Sequence, residues 1–267
     1  MQALAEQVAV ISGGLGDIGR ACALELARRG ADIAVCDRSD GGRVEPLRVE
    51  IEALGRRFRF DQLDVADAHC VSQWVEAVEA DLGVPTLVLP NAAIGRSVPF
   101  DELTPETWRR YLDINLSGAF YMAHLAAKRL LALNKPGRII FIGSWAAHAV
   151  HTHLPAYCTA KAGLRMLCQC MALEYAPHGI LVNEVAPGFV NAGLSRKIFE
   201  EYPERKKAAL DIVPTGELME ADEVALHVAH LCDPRNRSMT GSTLLCDGGL
   251  STVTATWKRV DGKRSEA

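Results

Sequence analysis

Residues 8–19 read VAVISGGLGDIG. The apolar, β-branched run Val8–Ile11 meets glycines spaced GxGxxG at Gly14, Gly16 and Gly19, and an amphipathic stretch, IGRACALELARRG, follows. The order reads as strand, tight turn, helix. Glycines let the backbone turn sharply and approach a ligand closely. The N-terminus of the following helix offers free N–H groups and positive dipole to an anion. Ser12, Gly13, Gly14, Gly16, Ile18 and Gly19 therefore form a candidate phosphate cradle, with a carboxylate, Asp17, in the middle of it. On these residues alone, a glycine-rich turn without a ligand stands as the alternative.

The same rhythm continues outward. DIAVCD precedes VEPLRVEIEALG, FRFDQLD precedes HCVSQWVEAVEADLG, and TLVLP precedes a long helical stretch from Thr104 to about Leu133. GRIIFIGS, ILVNEVAP and STLLCDGG supply later strands. Strands alternating with helices predict βαβ units and a doubly wound, Rossmann-like α/β fold with a parallel sheet. Continuous apolar runs such as RIIFI suit strands covered on both faces. No Pro/Gly/Ser-rich linker divides the chain, so residues 1–250 are read as a single domain. Residues 191–216 are charged and break the rhythm after a late strand, as a helical lid over a site would. Residues 251–267 form a polar tail.

Composition narrows the function classes. The chain has 267 residues, 49% hydrophobic and 23% charged, with net charge −4, so nothing draws it toward nucleic acid or anionic lipid. No apolar run is long enough to span a bilayer, and the opening MQALAEQ lacks the basic and apolar regions of a signal peptide. The 8 cysteines form no CxxC pair, and reduced thiols in a cytoplasm are expected.

Asp37 ends the second strand about twenty residues after the glycine loop. A carboxylate there accepts hydrogen bonds from ribose hydroxyls and repels a 2′-phosphate, favouring NAD over NADP. Arg38 beside it pulls the other way, because arginine accompanies a 2′-phosphate. Tyr157 and Lys161 are four residues apart in AYCTAK, on one helix face. An ammonium beside a phenol stabilises the phenolate, so the tyrosine is expected to titrate below its ordinary value of about 10 and to move protons. Ser144 ends the strand GRIIFIGS, thirteen residues upstream of Tyr157, and Asn115 lies in DINLSGAF.

This set resembles the short-chain dehydrogenase/reductase family, of the compact single-domain kind, from about Val8 to Gly249. The matching pieces are the glycine loop, Asp64 in LDVAD, PNAAI, Asn115, Ser144, YCTAK, APG at Ala186–Gly188, and CDGG. The resemblance implies Tyr157 as general acid/base. Lys161 would lower its pKa and hold the nicotinamide ribose, and Ser144 would share charge on the substrate oxygen. Asn115 would hold a water in a proton path from Lys161. The dinucleotide would run along Ser12–Gly14 and Gly16–Gly19, then Asp37, Arg38, Asp64 and Val65, then Asn91, Ala92 and Ala93. It would end at Tyr157, Lys161, Pro187, Gly188 and Val190.

Against the family pattern, Asp17 replaces a usual glycine. It is expected to cap its own helix and pair with Arg20. Pro90 and Ala93 alter NNAG, and Ala192 stands for a common threonine. His148, His151 and His153 form a histidine-rich rim without the spacing of a metal site, and no metal is expected. The implied activity is NAD-dependent interconversion of a secondary alcohol and a ketone, a sugar or polyol suiting the polar rim. A 3-ketoacyl thioester reductase and a hydroxysteroid dehydrogenase are alternatives, the latter if the lid is apolar inside. A non-catalytic dinucleotide-binding scaffold is the alternative of another class. A homotetramer or homodimer is implied by the resemblance.

Overall fold

The computed structural model describes residues 3–253. Seven strands run parallel: β1 (Val8–Ser12), β2 (Asp32–Asp37), β3 (Phe58–Gln62), β4 (Leu87–Leu89), β5 (Gly137–Ile142), β6 (Ile180–Pro187) and β7 (Thr243–Cys246). Their order is β3-β2-β1-β4-β5-β6-β7. The chain winds outward from β1 to β3, then returns to the other side of β1 and winds the opposite way. The crevice of such a sheet opens where the order reverses, between the C-terminal ends of β1 and β4.

Strand side chains alternate between two apolar layers, as the period of two demands. Ala9, Ile11, Ile33 and Val35 pack with α1 (Asp17–Arg28), α2 (Val44–Ala53) and α9 (Ala221–Cys232). Val8, Val10, Ala34 and Cys36 pack on the other face with α3 (Ala68–Leu82), α5 (Gly118–Ala132) and α6 (Pro155–Tyr175). Both faces are buried, which explains why these strands lack polar alternation. All 8 cysteines are free thiols.

The long stretch from Thr104 is not one helix. Thr104 accepts from Thr107 N and starts α4 (Pro105–Leu112), with proline where it costs no hydrogen bond. A π-turn, Asp113–Ser117, then joins α4 to α5. This widened turn carries Asn115 and re-aims the chain between the two helices. After β6 come two helices outside the layers, α7 (Gly193–Glu201) and α8 (Pro203–Ile212). They occupy the stretch read as a lid. A short 3₁₀ turn, Leu250–Thr252, and the extended Val253 after it open the expected polar tail, the remainder of which lies outside the described residues.

The turn from β1 to α1 packs tightly on β2. A Cβ at Gly14 would lie 2.4 Å from Val35 Cβ, in the core. Gly14→Ala should therefore lower unfolding free energy by about 1–3 kcal/mol, the usual cost of overpacking. Urea denaturation checks this.

Candidate active site

A cleft of about 880 Å³ opens at the β1/β4 reversal, within the range of small-molecule sites. Gly13, Gly16, Asp17, Ile18 and Gly19 line one end. Gly13 is left-handed (φ 64°), and a Cβ on Gly19 would lie 2.3 Å from Gly13 O, so both positions need glycine. Gly16 precedes α1, and no side chain caps that helix end. Its first-turn N–H groups and positive pole are thus left to the cleft, and this bare backbone cradle fits a dinucleotide pyrophosphate. Ser12 and Gly14 stand behind the wall instead. Ser12 Oγ accepts from Asn91 N (3.0 Å) and Ala92 N (3.1 Å), while Gly14 faces Val35.

Asp17 corrects the expectation that it caps its own helix. Its Oδ2 accepts from Gly193 N (2.7 Å) and lies 3.5 Å from Arg196 Nη1. Arg20 pairs with Glu50 rather than Asp17. The cause is the approach of α7, whose N-terminal N–H offers a partner on the cleft side. Asp17 caps a helix after all, one that begins 176 residues away.

At the other end, Asp37 Oδ2 accepts from Leu15 N (3.3 Å) and Oδ1 from Arg38 N (2.8 Å), with Asp37 and Arg38 on the wall. Asp64 accepts from Ala66 N (3.0 Å) and from Arg110 Nη2 (2.5 Å). Burial works upward on its carboxyl, but these two bonds outweigh burial and hold it below the usual range. Arg110 reaches the cleft from α4 and was not found from sequence, because its partner lies 46 residues away. Val65, Asn91, Ala92 and Ala93 line the middle, and Pro187, Gly188 and Val190 the far side.

Ser144, Tyr157 and Lys161 meet on one wall. Ser144 ends the β5 segment, and its Oγ accepts from Ala146 N (3.1 Å). Lys161, on α6, donates to Ile142 O (2.7 Å), and its Nζ lies 5.6 Å from the Tyr157 ring centroid. The expected downward shift of Tyr157 is not what this site produces. Burial pushes the phenol up, against a hydrogen bond with Ser144 that works down. Lys161 gives its bond to a carbonyl and adds no resolved pull on the tyrosine. Burial brings Lys161 itself down to about 8, with Glu184 working upward. Asn115 sits buried behind the wall. Its Oδ1 accepts from Ile94 N (2.8 Å) and its Nδ2 donates to Ile94 O (2.9 Å), clamping the exit of β4.

Beyond Ser144 the cleft wall is mainly apolar, with Thr152, Ser195 and Arg205 as polar residues among its lining. Trp145 packs edge-on against Phe189 (5.2 Å between centroids), and Phe189 against Phe199 of α7 (6.4 Å). Ala208, Ala209 and Ile212 of α8 close the same side. Of the rim histidines, only His151 lines the cleft, packed on Trp145 at 4.1 Å. Burial holds its imidazole below the ordinary value. Among the described residues no group of three His, Cys, Asp or Glu is placed to hold a metal.

A family model described as Enoyl-(Acyl carrier protein) reductase matches residues 14–251. A 3beta-hydroxysteroid dehydrogenase of Eggerthella lenta is 32% identical over 243 residues, covering 91% of this chain and 92% of that protein. A D-threitol dehydrogenase of Mycolicibacterium smegmatis is 32% identical over 245 residues, covering 92% and 93%. A solved dehydrogenase from Agrobacterium tumefaciens, with bound NADP, superposes with TM-score 0.85 at 26% identity, covering 94% of this chain and 98% of that one.

The Asp17 contact has a local consequence. Asp17→Ala should speed amide hydrogen exchange across residues 193–201, while exchange in β1 and β2 stays unchanged. Mass spectrometry of the two variants reads this directly.

Proposed function

The chain belongs to the short-chain dehydrogenase/reductase family, and from that premise we propose that it is an NAD-dependent dehydrogenase for secondary alcohols and ketones carried on apolar rings. The convergence of Ser144, Tyr157 and Lys161 beside an aromatic wall carries this reading. A bound nicotinamide dinucleotide supplies the hydride acceptor or donor. The chain's own residues supply the rest. Ser144 donates to the substrate oxygen and shares its developing charge. Tyr157, protonated in the resting site because burial favours the neutral phenol, delivers a proton to a ketone oxygen. The reverse reaction needs the phenolate, and the Lys161 ammonium is the cation at hand to support it.

Two features favour NAD. Asp37 presents a carboxylate at the ribose end, and Arg110 spends its charge on Asp64. Arg38 on the same wall is what favours the second reading, NADP. For the substrate, Phe189, Phe199, Ala209 and Ile212 offer surface to a ring, while Thr152, Ser195 and Arg205 leave only a few partners for hydroxyls. The polyol reading draws support from the threitol dehydrogenase relative. Exposed Met166 and Leu173 of α6 and Phe120 of α5 support a homotetramer or homodimer joined through these helices. Eight free thiols, and no described helix long and apolar enough to cross a membrane, support a cytoplasmic setting.

Tyr157→Phe should lower turnover by about 10²–10⁴-fold, the usual weight of a general acid/base. NADH binding, followed by fluorescence titration, should stay at the wild-type level. Lys161 keeps its proton below about pH 8 and loses it above. Ketone reduction, measured as kcat/KM against pH, should therefore fall as pH rises through that value. A profile flat to pH 10 would contradict the assignment of Lys161.

A further inference from the structure

β6 carries a charge in its buried interior. Glu184 is 0% exposed. Its Oε2 accepts from Arg165 Nε (2.9 Å) and Thr243 Oγ1 (2.7 Å), and its Oε1 from Arg165 Nη2 (3.4 Å). Arg165 follows Lys161 by four residues on α6, on the same helix face. The pair also reaches the substrate wall. Arg165 Nη2 lies 3.5 Å from Ser144 O. A Cβ on Gly143 would lie 1.8 Å from Glu184 Oε1, so the carboxylate lies flat against the backbone that delivers Ser144.

A buried ion pair is a poor way to gain stability. Desolvation offsets most of the attraction, and apolar side chains of similar size often do as well or better. The position of this one explains what the charges do. Thr243 ties it to β7, Arg165 ties it to α6, and Gly143 rests on it. We propose that the Arg165–Glu184 pair is the positioning device of the active site, holding the Gly143–Ser144 backbone in register with the helix face that carries Tyr157 and Lys161. Ser144 and Tyr157 then address one substrate oxygen. This rests on the catalytic reading of those two residues. The groups around Glu184 are Arg165, Lys161 and Cys168 from α6 and His148 from the turn after β5. Its negative charge supports the Lys161 ammonium against burial.

The test is Arg165→Met combined with Glu184→Met, which removes both charges and leaves neither unpaired. The double variant should melt within a few degrees of wild type, since apolar replacement of such pairs is often neutral, and should bind NADH as wild type does. Its kcat should fall at least about tenfold, toward the roughly hundredfold that misplacement of reacting groups by an ångström costs. The alkaline limb of its pH profile should move to lower pH. A stable double variant with wild-type kcat and pH limb would overturn the proposal. If it does not fold, Glu184→Gln replaces it, keeping size and acceptor but not charge. The same loss of kcat and downward move of the limb support the proposal, and unchanged values overturn it. Tyr157→Phe run alongside separates the two readings. If only that variant is impaired, the positioning role alone fails; if that variant is active, the catalytic reading fails.

Discussion

The reversal of strand order between β1 and β4 is closed by four hydrogen bonds. Ser12 Oγ accepts from Asn91 N and Ala92 N, and Asn91 Nδ2 donates to Ser12 O and Gly13 O. This lattice sets where the crevice opens and how the glycine turn stands in it. A hydroxyl on one strand end and an amide on the next satisfy backbone groups that the diverging strands leave unpaired. The left-handed Gly13 and the exposed start of α1 follow from that arrangement. Asn115 repeats the device farther along, its amide holding Ile94 just beyond Asn91. The cofactor end of the cleft is thus made of backbone fixed by short polar side chains, a surface suited to an anion that must approach closely.

The other end is governed by burial. Low polarity around α6 favours neutral forms, so it pushes the Tyr157 phenol up and brings the Lys161 ammonium down to about 8, which makes the lysine the more acidic of the two. The same apolar surroundings continue into the aromatic series Trp145, Phe189 and Phe199. α7 belongs to both ends. Its first residue is held by Asp17 of the glycine loop, and its Phe199 packs against the substrate wall.

What the sequence made legible was local. The strand runs, the glycine turn and the four-residue spacing of Tyr157 and Lys161 are written in neighbouring residues, and period alone places them. Asp17 was misjudged because its partner, Gly193, is remote in the chain and nothing beside Asp17 announces it. Arg110 and the Arg165–Glu184 pair escaped notice for the same reason. The histidine-rich rim suggested a polar pocket. The fold turns His148 and His153 away from the cleft and fills the space with lid residues whose aromatic contacts only tertiary packing creates. The tyrosine's acidity was misread by weighing the nearby charge and leaving out desolvation, which is larger here.

In the proposed function, this cleft passes a hydride between NAD and a secondary alcohol on an apolar ring. The most direct measurement is the rate of NADH formation, followed by its absorbance, with NAD and either a 3β-hydroxysteroid or D-threitol as the alcohol. Turnover of the steroid is expected with a kcat/KM well above that of threitol, and with a slower rate when NADP replaces NAD. Turnover of threitol with none of the steroid would contradict the proposed function.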